Sequence, residues 1–381
     1  MKSENSESPA DKVSRVRALD AARGIAALIV AVYHCLLALP VSDPFGFPHT
    51  PAYHALWRKI LLPGDLAVTL FFVISGASFG VACVDLSKFR AKAFFIRRFF
   101  RIYPLYLFSI LTGFLISLIY LKFASAEALD AKDWLHAQYL QKPDPGVWFF
   151  YLTMSFNWFL HKAYFNNALW TLPIEAQFYL FVPLFVFLLS KAGSKIGSAA
   201  IVFLCMILYV YTKIVHLYAA PLEWLWQFAG GFLLGHFLIR ENSLPSWIDK
   251  IPRMAVLPLF YLSRLYLPIR GLPLNFFSVL TAFCLVYICL RNKNWGHEKA
   301  HEFWIHLGDR SYSLYLLHMP VIFVFAAILE TVFPPLPPAA FFISLTLLVV
   351  PLTYRICGVV YRFELAFINM GRHLAASHAK R

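Results

Sequence analysis

Charged side chains are scarce in this sequence, and acidic ones are scarcest. Asp and Glu number 20 against 34 Lys and Arg, and the four types together make up 14% of 381 residues. A soluble domain carries roughly a quarter, so there is too little charge here to cover a water-facing surface of this size. The remainder is apolar, with 60% hydrophobic and 18% aromatic residues. It is gathered in runs of roughly 18 to 23 residues, the length a helix needs to cross a hydrocarbon core about 30 Å thick. The two or three soluble domains that the length would otherwise allow are thereby excluded. The expected fold is all-α: one polytopic integral-membrane helical bundle.

Other absences narrow the function. The six cysteines, Cys35, Cys83, Cys205, Cys284, Cys289 and Cys357, lie in or beside apolar runs and show no C-x-x-C pair, which argues against zinc or thiol-redox chemistry. They read as small hydrophobes, and no metal site is expected. The first apolar run ends without a small-residue cleavage site, so it reads as a retained span rather than a cleaved leader. No internal repeat and no low-complexity tract stands out. The formal net charge of +14 does not point to nucleic acid, because the basic residues sit in short loops between apolar runs, as bilayer proteins hold them on the cytoplasmic side.

Candidate spans cover residues 18–39, 66–83, 99–121, 170–190, 196–214, 222–239, 254–270, 272–290, 310–332 and 339–360. About ten helices result. An eleventh apolar run, 147–160, is shorter and carries Asn157 in its middle, so it can be a span, a re-entrant piece or an interfacial piece. If it does not cross, the basic loops around Arg97 and Arg98, Lys191 and Lys195, Arg240 and Lys250, and Arg291 and Lys293 all fall on the side of the N-terminus. That arrangement puts both termini in the cytoplasm. The expected division is a polar segment at 1–17, a membrane domain at 18–361 and a basic cytoplasmic tail at 362–381, with no fused soluble hydrolase-like domain.

An ionisable group inside a span costs several kcal/mol even on mild scales, and is a functional candidate for that reason. Arg23 and His34 are eleven residues apart, close to three helical turns, so they share one stripe about 16 Å apart along the axis. Asp20, three residues before Arg23, is spaced for an ion pair that keeps the guanidinium neutralised and oriented. Glu175 is expected one turn inside the outer end of its span, at a depth similar to that of His34, where the two can meet. An imidazole beside a carboxylate is suited to deprotonating an alcohol; the plainer alternative for His34 is a packed ring bonded to a carbonyl. Arg98 and Arg101, three apart at the mouth of the third span, form two forks suited to phosphate oxygens. Simple positive-inside anchoring is the alternative for them and explains Arg97.

Five stretches, "LDAARGIAALIVAVYH", "FFVISG", "RRFFRIYPLY", "LWTLPIEAQFYL" and "LGDRSYSLYLLHMPV", resemble in order the signatures of the acyltransferase 3 family, integral-membrane enzymes that O-acylate surface polysaccharides, peptidoglycan and related glycans. The resemblance implies catalytic roles for Arg23, His34 and Glu175 and a donor-binding role for Arg98 and Arg101; Asp20 joins the catalytic candidates from its spacing, as support for His34. It also implies an acyl-CoA donor, with acetyl-CoA the first candidate, and a glycan or lipid-linked saccharide acceptor at the outer face of a bacterial inner membrane. A separate extracytoplasmic acyltransferase or polysaccharide-synthesis partner could receive the group instead. Where many members carry a second acidic residue after the glutamate, this chain has Ala176, which weakens any two-carboxylate mechanism. Trp170, Gln177 and Tyr179 near the glutamate, and Tyr312, Ser313 and His318 in the last motif, are candidates to line a cavity. Ser75 and Gly76 are expected to serve close helix packing. The competing class is a transporter of a glycan or anion, in which the same Arg and His line a path.

Overall fold

A computed structural model describes residues 9–39, 63–123, 144–160, 164–215, 221–240, 246–265, 276–292, 301–333 and 336–379. Among them every regular element is helical: α1 (Pro9–Leu37), α2 (Gly64–Ala82), α3 (Ala91–Phe123), α4 (Pro145–Leu152), α5 (Phe156–Phe159), α6 (Thr171–Ile214), α7 (Pro221–Arg240), α8 (Ser246–Leu265), α9 (Phe276–Arg291), α10 (Glu302–Asp309), α11 (Ser311–Val332) and α12 (Pro338–Ala379). Six described segments, from α1, α2, α3, α6, α11 and α12, are long and apolar enough to cross a membrane.

The gap between six and the expected ten has local causes. α6 holds two expected spans in one element that breaks at Gly193, whose φ of 74° lies in the left-handed region open to glycine. The chain folds back there: a Cβ at Gly197 would stand 2.7 Å from the Leu188 carbonyl oxygen, a contact that nine residues of straight helix would forbid. α9 has only 16 residues, the α8 sequence carries four charged residues, Asp249, Lys250, Arg253 and Arg264, and the α7 sequence mixes Glu223, Gln227 and His236 into its apolar run. α12 continues well past residue 361, so the segment expected to be a tail is helical through Ala379.

Small residues set the closest packing. Cβ atoms at Gly76 and Gly80 on α2 would lie 2.0 Å from the carbonyl oxygens of Phe228 and Phe232 on α7. In return, Cβ atoms at Gly231 and Gly235 would lie 2.2 Å from those of Val73 and Ala77. Two reciprocal small-xxx-small faces thus bring the backbones together, which in lipid is a main source of helix association. The expectation for Gly76 is met. Gly24 and Gly308 do the same for α1 and α10, where a Cβ at Gly308 would fall 2.2 Å from the Asp20 carbonyl.

Residues 147–160 do not form one straight helix. α4 is eight residues long, about 12 Å, and the chain turns after it at Met154, φ 53°. Measured along α3, the segment passes from Phe114, which packs on Trp148 at 4.9 Å, to Tyr103, whose hydroxyl donates to the Leu152 carbonyl at 3.0 Å. It then returns: a Cβ at Gly113 would meet the Phe165 carbonyl at 2.2 Å. That course, along α3 and back, is the one expected of the re-entrant alternative. Asn166 fixes the returning limb, its amide donating to Ser109 Oγ at 3.1 Å and to the Leu316 carbonyl at 2.7 Å. α6 therefore starts deep inside the bundle, with Ala168, Leu169, Thr171 and Leu172 buried.

Candidate functional site

Five helices enclose a polar cavity of about 210 Å³, lined by Asp20 and Arg23 from α1, Ser75 and Ser78 from α2, Arg98 and Arg101 from α3, Thr171 and Glu175 from α6, and Tyr312 and Tyr315 from α11, among others. Each side chain reaches it through ordinary helix geometry. On α3, Arg97 is exposed whereas Arg98 and Arg101 turn inward with Phe94 and Leu105, one stripe at three- and four-residue spacing. Arg97 is left on the outside, as anchoring would have it.

Arg23 donates to Asp20 Oδ1 at 2.7 Å and to Ser78 Oγ at 3.1 Å. The expected pair on one helix face is thus present, and Ser78 ties it to α2. At the end of α10, which packs against this turn of α1, Asp309 is held above the usual carboxylate range, first by burial and then by the charge of Asp20. Across the cavity Glu175 Oε1 accepts from Ser75 Oγ at 3.1 Å and from Tyr179 Oη at 2.6 Å. The guanidinium of Arg98 lies 4.4 Å from the centre of the Phe79 ring, a cation–π geometry, and its Nε is buried without a hydrogen-bond partner.

His34 stands elsewhere. Its Nδ1 is 2.9 Å from Nε2 of His318, with the ring centroids 5.0 Å apart and the ring planes within 24° of each other. Neither imidazole lines the polar cavity. The His318 ring approaches Tyr315 at 5.8 Å, and the Tyr315 hydroxyl, which accepts from Thr171 at 2.9 Å, belongs to the cavity wall. The imidazole pair and the arginine cavity are two layers with Tyr315 between them.

The expected meeting of Glu175 with His34 is replaced by this layering. The re-entrant segment starts α6 at depth, so one turn into the helix lies in the arginine layer, and the partner of His34 is a second histidine. Of the six lining candidates, Tyr312 lines the cavity and its hydroxyl donates to the Ile102 carbonyl at 2.8 Å. Tyr179 stands behind Glu175. Trp170 packs on Phe72 and Trp224. Gln177 clamps the re-entrant turn, bonding Met154, Asn157 and Trp158. Ser313 donates to Glu364 at 2.6 Å, and His318 faces His34.

Three participants went unnoticed in the sequence or were given another role. Ser75 packs and also holds Glu175. Ser78, one turn further along α2, carried a signal in that i, i+3 pairing with Ser75. Glu364, only 3% exposed, faces Arg101 from beyond the last apolar run, where nothing but the continued helical period marks it.

Comparison with known proteins bears on the chain as a whole. The family described as "Acyltransferase domain" matches residues 16–357. A Staphylococcus aureus protein named "Putative O-acetyltransferase" is 24% identical over 383 residues, covering 93% of this chain and 58% of its own length. A protein of Acidianus two-tailed virus named "Putative acetyltransferase" is 27% identical over 314 residues, covering 78% of this chain and 80% of its own. The chain thus spans a little over half the length of the staphylococcal relatives it matches. No solved structure matches it significantly.

Proposed function

Since the chain belongs to the acyltransferase 3 family, we propose that it moves a short acyl group, acetyl first, from a cytosolic acyl-CoA to a hydroxyl of a surface or exported glycan. The observation that carries this reading is the cavity holding Arg23, Arg98 and Arg101, set one layer from a paired imidazole. Three guanidinium groups against the two carboxylates of Asp20 and Glu175 leave an excess of positive charge suited to the phosphates of a CoA donor. His34 is the base. It takes the proton of the acceptor hydroxyl while that oxygen forms the ester bond to the acyl carbon; the carbon–sulfur bond breaks, and the departing thiolate recovers the proton from His34.

The orientation follows from the loop charges: termini and arginine layer toward the cytoplasm, His34 toward the outer face of a bacterial inner membrane. The acceptor is then a lipid-linked or exported saccharide, reached directly or through a separate extracytoplasmic acyltransferase. The test uses purified protein in liposomes with labelled acetyl-CoA and a glycan acceptor. The parent releases CoA and labels the acceptor, and His34→Ala does neither. Movement of a glycan or anion without CoA release would return the protein to the transporter class, and an active His34→Ala would remove His34 as base.

A further inference from the structure

The contact between the two imidazoles has a direction. Only one of the facing nitrogens, His34 Nδ1 and His318 Nε2, can carry the hydrogen between them at 2.9 Å. His318 Nδ1 lies 3.1 Å from the Leu314 carbonyl oxygen, one turn back on α11. A carbonyl can only accept, so this Nδ1 bears a hydrogen. A second hydrogen on Nε2 would make His318 a cation at 0% exposure, far costlier to bury than the neutral ring. Nε2 is therefore an acceptor, and the shared hydrogen belongs to His34 Nδ1. A neutral His34 then carries its lone pair on Nε2.

We propose that His318 is a positioning residue that fixes His34 in the tautomer with a basic Nε2, so that Nε2 is the atom that receives the acceptor's proton. The proposal rests on the reading of His34 as base. The chain of bonds runs from Leu314 carbonyl to His318 Nδ1–H, and from His318 Nε2 to His34 Nδ1–H. When Nε2 of His34 takes a proton, its Nδ1–H bond to His318 becomes charge-assisted and strengthens. His318 changes neither its protonation nor its place. A backbone carbonyl thus orients the base through a second imidazole, the part that a carboxylate plays in many His sites.

Two amides separate this role from a merely structural one. Glutamine at 318 is long enough to set its amide oxygen where Nε2 now lies, and it accepts from His34. Asparagine reaches only the position of Nδ1; it keeps the bond to Leu314 and loses the one to His34. In proteoliposomes with acetyl-CoA and acceptor, His318→Gln should stay within about tenfold of the parental kcat. His318→Asn and His318→Ala should fall on the order of 100-fold or more, with the donor KM within about threefold in all. Equal losses in the Gln and Asn variants, an Asn variant better than Gln, or a loss confined to KM would overturn the proposal. His34→Ala, run in parallel, separates the two claims: an active His34→Ala sinks the base itself, whereas an inactive one beside an undisturbed His318 series sinks only the positioning role. On the unsubstituted protein, solid-state NMR of 15N-histidine label reads the tautomer directly, with His34 signals assigned by their loss in His34→Ala. A protonated Nδ1 on His34 is expected, and a protonated Nε2 in the resting state refutes the assignment.

Discussion

Arg98 and Arg101 are equivalent by spacing, but their surroundings differ enough to predict unequal roles in donor binding. The positive charge of Arg98 is met by aromatic faces, Phe79 at 4.4 Å, Phe94 at 5.6 Å and Tyr179 at 5.9 Å, and its Nε has no hydrogen-bond partner. Arg101 lies in the wall between the polar cavity and an apolar one of about 540 Å³, whose lining also includes the carboxylate of Glu364. Glu364 Oε1 has no hydrogen-bond partner of its own, so this carboxylate keeps much of its field for Arg101. A donor phosphate should therefore gain more from Arg98. A hydrogen bond to a charged group contributes about 1.5–3 kcal/mol; at 1.4 kcal/mol per tenfold, Arg98→Ala should raise the donor KM roughly 10- to 150-fold. For Arg101→Ala, with Glu364 offsetting its charge, about 1 kcal/mol or less is at stake, some fivefold. Glu364→Gln should uncover Arg101 and lower the donor KM. Initial rates against labelled acetyl-CoA in proteoliposomes give KM and kcat separately, and thermal unfolding in detergent checks that each variant is folded. An Arg101→Ala effect on KM equal to or larger than that of Arg98→Ala would refute the reasoning.

Glu175→Gln keeps an oxygen to accept from Ser75 and Tyr179, so its melting temperature should hardly move. The same change removes one of the two carboxylates lining the cavity, so the donor KM should fall; a raised KM would mean that Glu175 does not oppose donor charge. Glu175→Ala, in contrast, strands the buried Tyr179 hydroxyl and should cost about 1–3 kcal/mol in chemical unfolding. Gly80→Val would press a branched side chain into the Phe232 carbonyl, 2.0 Å from the first added carbon. Such overpacking costs at least about 1–3 kcal/mol, and α2 with Ser75 and Ser78 should be displaced, lowering both melting temperature and activity. A Gly80→Val protein as stable and active as the parent would show that the close approach of α2 and α7 is not needed.

Most of the chemistry-bearing residues are legible one helix at a time, because a period of 3.6 residues fixes which side chains share a face. That is why Arg23 with Asp20, Arg98 with Arg101, and Gly76 with Gly80 can be named from spacing. Depth is another matter, since it depends on contacts far apart in the chain. The re-entrant segment is held by Tyr106, whose hydroxyl donates to the Tyr151 carbonyl at 2.6 Å, and by Asn166 on Leu316, and nothing in the period of α6 records either bond. Assigning Glu175 to the layer of His34 fails for that reason, and Glu364 escapes notice because helix α12 outlasts its apolar stretch. The corrected depths change what the chemistry requires. Arg23 and His34, eleven residues apart on one straight helix, are separated by about 16 Å, with Tyr315 and Thr171 between their layers. A donor whose phosphates rest on the arginines can bring its thioester to His34 only through an extended arm threaded past Tyr315. On the proposed reading, the donor therefore needs a flexible linker between its phosphates and its acyl group, as CoA has.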